Sequence, residues 1–231
     1  MLEMKNVSKV YRTEMVETRA LHGLDLVVNA GEFLAVTGPS GSGKTTFLNI
    51  AGLLEEHTGG EYRLDGVDIR RLDDRARSKL RNEKIGFVFQ SFNLIPDLDL
   101  YDNVDVPLRY RGLPRGDRKQ RITRALERVG LASRLHHYPA ELSGGQQQRV
   151  AIARAIAGDP KLLLADEPTG NLDSAMAREV MQLLEELNAQ GTVVVIVTHD
   201  PEIAARAQRN VHIVDGIASD VERIRTLVKS A

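Results

Sequence analysis

The chain has 231 residues, with 31 Lys and Arg against 32 Asp and Glu and a formal charge of -1; that is length enough for a full hydrophobic core, with no global charge to draw it to nucleic acid or an anionic membrane. It contains no cysteine, which excludes disulfide staples and thiolate metal sites and suits a reducing compartment. The longest purely aliphatic run, Val193 to Val197, is far short of the roughly 18 residues of a membrane helix, and the opening MLEMKNVSKVYR has no apolar signal core, so the chain is expected to stay inside the cell without spanning a bilayer.

In chain order, Leu2 to Val10, Leu21 to Val28 and Glu61 to Leu64 read as strands of a β-rich lobe, with turns at Asn29-Ala30-Gly31 and Asp65-Gly66. Phe33 to Thr37 is a short apolar strand that runs into a glycine-rich loop and then a helix from about Gly43 to Gly52. Ile85 to Phe89, Leu162 to Ala165, Val193 to Thr198 and Val211 to Val214 read as strands buried on both faces of a parallel sheet, with helices in the gaps. Residues 97–157 hold no convincing strand but several helical patterns, broken by Pro107, Gly112, Pro114 and Pro139, and read as an inserted helical lobe. The last dozen residues offer at most a closing helix.

Gly38-Pro39-Ser40-Gly41-Ser42-Gly43-Lys44-Thr45-Thr46 carries the P-loop pattern, placed between a strand and a helix as that motif requires. Backbone N–H groups of such a loop face inward, and the helix start adds partial positive charge, so the loop is built for phosphate. Lys44 is expected to reach the β- and γ-phosphates of a bound nucleotide and the Thr45 hydroxyl to bind Mg²⁺. A dinucleotide fingerprint fits worse, because Thr46 stands where its last glycine or alanine belongs.

The segment LLLADEPTG, 162 to 170, drives a buried strand into Asp166 and Glu167. Neighbouring strand residues point in different directions, so the two acids can take different tasks at one site. Asp166 is expected to hold Mg²⁺ as a Walker B acid does. Glu167 is then free to orient or deprotonate the attacking water, a contribution of about 10²- to 10⁴-fold in rate.

A second glycine-rich stretch, Leu142-Ser143-Gly144-Gly145-Gln146 followed by QQRVAIARAI, is not explained by a single phosphate site. Here the chain resembles the ATP-binding cassette family along essentially its whole length: these residues match the family's signature loop and the helix after it. Gln90 matches the Q-loop glutamine, which in the family serves catalysis and the metal. Asn171-Leu172-Asp173 falls at the D-loop, His199 in VTHD matches the switch histidine, and Tyr11, 27 residues before Gly38, resembles the aromatic that stacks on adenine. His136-His137 reads as a polar helix end, with no partner at metal-ligand spacing.

The resemblance implies an α/β fold: a RecA-like P-loop NTPase core with a parallel sheet, an antiparallel β lobe and an inserted helical lobe. It implies one cassette, with 1–96 as the β lobe and first part of the core, 97–157 as the helical lobe with the signature loop, and 158–231 as the rest. In the family two copies pack head to tail, so that Ser143, Gly144, Gly145 and Gln146 of one cover the ATP held by the P-loop of the other. The stretches ADEPTGNLD and FVFQSFNLIP look like the branch serving lipoprotein release, macrolide-type export and cell-division complexes, which implies a membrane-spanning permease partner, export, and a cytoplasmic location on the inner face of the membrane.

Phe89 to Leu94 and the helical lobe are expected to form the permease-docking groove. Arg109, Arg111, Arg115, Arg118, Lys119, Arg121 and Arg124 make that lobe locally basic, with Asp117 opposing. Such a run reads first as a solvated helix face and second as a permease or lipid-headgroup contact. The competing class is an ATP-gated clamp or cell-division regulator; a clamp of the DNA-repair kind would need a long coiled coil between the cassette halves, and no heptad stretch is present.

Overall fold

A computed structural model describes residues 1–13 and 15–221. In chain order the elements are β1 (Leu2–Arg12), β2 (Glu17–Val28), β3 (Phe33–Thr37), α1 (Lys44–Ala51), β4 (Gly59–Leu64), β5 (Val67–Asp68), α2 (Asp74–Lys84), β6 (Ile85–Phe89), α3 (Leu100–Tyr110), α4 (Arg115–Arg128), α5 (Gly144–Ile156), β7 (Leu162–Asp166), α6 (Ser174–Ala189), β8 (Val193–Val197), α7 (Pro201–Ala204), β9 (Arg209–Val214) and β10 (Ile217–Asp220). The chain divides into two compact units, Met1–Ser78 with Val193–Ala231, and Lys79–Thr192.

The first unit holds an antiparallel sheet in the order β2-β1-β4-β5. Its inward residues, Leu2, Met4, Val7, Leu21, Leu24, Leu26, Val28, Tyr62 and Leu64, are buried, while their neighbours along the strands face out, as a one-sided sheet dictates. The Asp65-Gly66 turn is a two-residue hairpin between β4 and β5, both residues having positive φ (51 and 81), the conformation that matches the twist of the flanking strands. Asp215-Gly216 makes the same turn between β9 and β10 (φ 48 and 73), a hairpin that the strand reading above does not anticipate. The ladder between β1 and β2 continues past Tyr11, which pairs with Thr18, while Arg12 pairs with Glu17.

In the same unit β3 pairs in parallel with both β8 and β9. All five residues of β8 are buried and so are the first four of β3, which is why these segments read as unbroken apolar runs.

The second unit places the parallel pair β6 and β7 among α3, α4, α5 and α6, with Phe89 opposite Asp166 at the end of the ladder. Between α3 and α5 there is no strand, as the sequence predicts. Gly112 (φ 67) and Pro114 separate α3 from α4, but Pro107 does not break α3, which runs through it to Tyr110. Pro107 has no N–H to give the carbonyl one turn back, so α3 continues with one helical hydrogen bond fewer. The closing helix expected at the end of the chain falls largely on residues 222–231, outside the described residues.

Tyr62 is fully buried, and its hydroxyl donates to the carbonyl of Ala51, the last residue of α1, at 2.6 Å. Burial raises its pKa, so the phenol keeps its proton. Tyr62→Phe strands that carbonyl in the core and is expected to cost about 1–2 kcal/mol, read as a fall in Tm of roughly 2–6 °C by thermal unfolding; an unchanged Tm means the bond is replaced.

Candidate nucleotide site

In the first unit, β3 ends at Thr37 and the chain turns through Gly38 to Gly43 into α1. The loop is wedged between strands. A Cβ on Gly43, whose φ is 104, would lie 2.5 Å from the carbonyl oxygen of Ala20 in β2, and one on Gly38 would lie 2.1 Å from that of Ile213 in β9. The far side is fixed by the β9–β10 turn: Gly216 N–H donates to Ser42 O at 2.9 Å, and Gly216 O accepts from His22 N–H at 2.9 Å. Gly216 is a residue that sequence reasoning missed; the Asp215-Gly216 pair is its only signal.

Pro39, Ser40 and Gly41 form the exposed tip of the loop. Lys44 Nζ folds over it, donating to Gly38 O at 2.8 Å and Pro39 O at 2.7 Å. Thr45 and Thr46 stand in the first turn of α1, Thr45 exposed and Thr46 half-buried. Ser42 is 3% exposed and its Oγ has no hydrogen-bond partner among the described residues. A cradle in which two Cβ atoms would meet backbone, with an unpartnered buried hydroxyl and an ammonium over it, fits the phosphates of a nucleotide.

Two further predicted residues lie in this unit. β8 runs parallel to β3 with Thr198 N–H donating to Val36 O, so His199 leaves its strand at the same end as the P-loop. Asp200 then caps α7 by accepting from Glu202 N–H and Ile203 N–H. Tyr11 on β1 places its hydroxyl 3.5 Å from Thr46 Oγ1 and donates to Glu55 Oε2 at 2.8 Å.

The second unit gathers the remaining predicted residues. Because Phe89 and Asp166 are in register, Gln90 and Glu167 emerge side by side beyond the C-terminal edge of β6 and β7, the edge where α/β sheets build their sites. Glu167 has a φ of 44, a left-handed conformation that is costly for a residue with a Cβ and turns its side chain off the direction of the strand. Two contacts hold the turn: Gly170 N–H donates to Glu167 O at 3.0 Å, and the buried Gln148 of α5 donates to Pro168 O at 2.5 Å. Gln90 is clamped by Asn171, which donates to Gln90 O at 3.0 Å and accepts from Gln90 Nε2 at 3.4 Å. Sequence reasoning placed Asn171 in the D-loop but did not give it this task.

Ser143 is the N-cap of α5: its Oγ accepts from Gln146 N–H at 3.4 Å while Gln146 Oε1 accepts from Ser143 N–H at 3.1 Å, a reciprocal capping box. The Ser143 hydroxyl keeps its proton as a donor, and Gly144 and Gly145 open the helix with no side chain over their amides. Gly145 packs on Met176 of α6, which the D-loop Asp173 caps by accepting from Ala175 and Met176 N–H. Farther along α5, Arg154 donates to Phe92 O at 2.8 Å and Asn93 O at 2.5 Å, two left-handed residues just after Gln90.

Acids of the same unit pair with several of the lobe's basic residues. Asp105, almost fully buried, takes Arg109 Nε at 2.6 Å and Arg118 Nη1 at 2.6 Å, and Asp159 takes Arg121 at 2.6 Å. Arg111 is turned inward to Asn82 Oδ1 at 2.7 Å and Gly158 O at 2.6 Å. Arg111 and Arg118 are thus tied into the lobe, while Arg109, Arg115, Lys119 and Arg124 stay exposed, as on a solvated helix face. His136 Nδ1 lies 3.0 Å from Asp99. No helix among the described residues is long and apolar enough to cross a membrane.

A P-loop and a histidine at one strand edge of the first unit, and a glutamine, two acids and a capped second glycine helix in the other, are the parts of a nucleotide-hydrolysing cassette. The family profile described as ABC transporter matches residues 21–170. The ATP-binding cassette MJ0796, solved as a dimer in a post-hydrolysis state bound to ADP and Pi, is similar with a TM-score of 0.86 at 43% identity over 96% of this chain and 99% of that one. The uncharacterized ABC transporter ATP-binding protein YknY of Bacillus subtilis is 49% identical over 216 residues, 94% of either chain. The macrolide export ATP-binding/permease protein MacB of Rhodospirillum rubrum is 46% identical over 94% of this chain and 33% of its own length, and the pyoverdine export protein PvdT of Pseudomonas fluorescens is 48% identical with the same coverage. The chain belongs to the ABC transporter family, as an ATP-binding, ATP-hydrolysing subunit.

Gly216→Ala forces a Cβ to within 2.6 Å of Ala20 O at a positive φ, a strain of about 1–3 kcal/mol borne by the P-loop. It is expected to weaken nucleotide binding in calorimetric titration. Gly31→Ala, at a similar φ of 72 with nothing within 4 Å, lowers Tm but keeps affinity; equal affinities for both variants contradict the wedge.

Proposed function

We propose that the chain works as a pair of identical copies that close around two ATP molecules, each site made from the P-loop of one copy and the signature loop of the other, and that this closure drives a membrane-spanning permease for export. The observation that carries this reading is the second phosphate-type helix start. Ser143, Gly144 and Gly145 make a capped helix N-terminus that begins with two glycines, which favours an anion, although the chain already has its own P-loop. The dimeric state of the MJ0796 cassette supports the pairing, and the export proteins MacB and PvdT support the permease and the direction. The cassette then sits in the cytoplasm against the inner face of the membrane, held by its permease, with no role for nucleic acid.

Within one site Lys44 and the P-loop amides bind the phosphates, Tyr11 stacks on adenine, and His199 donates to the γ-phosphate. Thr45, Gln90 and Asp166 are the residues that would hold Mg²⁺, which when bound neutralises phosphate charge. Glu167 takes the proton of the attacking water at its carboxylate. The partner's signature serine and glycines add charge-assisted hydrogen bonds worth roughly 1.5–3 kcal/mol each, so closure depends on the γ-phosphate and hydrolysis opens the pair.

Lys44→Ala is expected to abolish ATP binding in equilibrium titration. Glu167→Gln should keep binding, lose turnover by about 10²- to 10⁴-fold, and elute with Mg-ATP as a stable dimer in gel filtration with light scattering. Wild-type turnover by the Gln variant overturns the base assignment, and a monomer in ATP overturns the pairing.

A further inference from the structure

The face and tip of the Tyr11 ring are both held. Glu55, in the loop after α1, uses its two carboxylate oxygens separately: Oε2 accepts from the Tyr11 hydroxyl at 2.8 Å and Oε1 binds Lys9 Nζ at 2.9 Å. Lys9 in turn lies over the ring, its Nζ 4.9 Å from the centroid, and donates to Glu56 O at 2.7 Å. The Lys9 and Glu55 side chains are only 12% and 25% exposed, whereas Tyr11 is 39% exposed. The two charges are thus partly withdrawn from water to serve an aromatic ring that itself stays open. Burial first, then the Glu55 carboxylate, raises the pKa of the phenol, with the Thr46 hydroxyl acting the other way.

We propose that Lys9 and Glu55 are positioning residues that fix the Tyr11 ring as a one-faced platform for the base of the nucleotide; this rests on the reading of Tyr11 as the base-stacking residue. Glu55 removes rotation at the ring's tip, and Lys9 closes one face, so a planar ligand can reach only the other. The hydroxyl end stands beside Thr46 in the first turn of α1, which sets the platform next to the phosphate cradle. A cation behind the ring draws π density toward itself, leaving the open face less negative and better suited to the face of a purine. A ring held before binding loses less freedom on binding.

The test compares ATP with inorganic tripolyphosphate, which has the phosphates but no base, by calorimetry on wild type, Tyr11→Ala, Glu55→Ala, Glu55→Gln, Lys9→Met and each combined with Tyr11→Ala, after thermal unfolding has shown each to be folded. Glu55→Ala and Lys9→Met are expected to weaken ATP by about two- to ten-fold, leave tripolyphosphate unchanged, and have no further effect once Tyr11 is alanine. Glu55→Gln, which keeps an acceptor for the hydroxyl, recovers part of the loss, and with Lys9→Met it serves if Glu55→Ala does not fold. If Tyr11→Ala weakens ATP while the Glu55 and Lys9 variants do not, positioning is overturned and the stacking reading survives. If Tyr11→Ala leaves ATP binding unchanged, the stacking reading itself fails and the positioning role with it. Equal losses for ATP and tripolyphosphate also overturn the proposal, since they mark a general distortion of the loop.

Discussion

The close approach of backbone to backbone around the P-loop governs the rest of the first unit. Gly43 and Gly38 lie where a single extra carbon would strike the carbonyls of Ala20 and Ile213, so β2, β9 and the loop fit only if those positions are bare. That approach also aligns the strands: β3 and β8 end in register, the P-loop and His199 leave from the same edge, and the β9–β10 turn locks Ser42 from the other side. The amides of the loop, which on the proposed reading receive phosphate, are preorganised by packing rather than by the ligand.

The second unit solves a different problem, that of holding polar groups at a strand edge against their own strain. Glu167 sits in a left-handed turn, a conformation that costs a residue with a Cβ. The turn is held by the buried Gln148 and by Gly170, and the neighbouring Gln90 by Asn171. Strain at a site persists where the surroundings over-determine it, and here those surroundings come from α5, the helix that Ser143 begins. The residues that hold the acids and the residues that would cap a partner's nucleotide therefore belong to one packed body.

Much of this was legible in the sequence, for identifiable reasons. β3, β7 and β8 are buried along almost their whole length and, with β6, show as plain apolar runs, and the P-loop carries its own spacing. What escaped notice depends on contacts between distant segments. Asp159 reaches Arg121 from 38 positions away, and Asp105 of α3 reaches Arg118 of α4. Lys9 and Glu55 are 46 positions apart and meet only because β1 and the loop after α1 converge. Pro107 reads as a break, yet α3 continues through it to Tyr110. Gly216 had a visible signal in Asp215-Gly216, but the short β10 that follows it carries no apolar pattern of its own.

The central claim is that each copy completes its twin's pocket, and the absence of cysteine makes it directly measurable. One copy carrying Ser143→Cys and another carrying Ser40→Cys, both with Glu167→Gln, are mixed with Mg-ATP and a short bifunctional thiol reagent, and the products are resolved by mass spectrometry. The account predicts a cross-linked heterodimer that forms with ATP and is lost with ADP. A yield independent of nucleotide, or no Ser143-to-Ser40 product while the copies bind ATP, contradicts it.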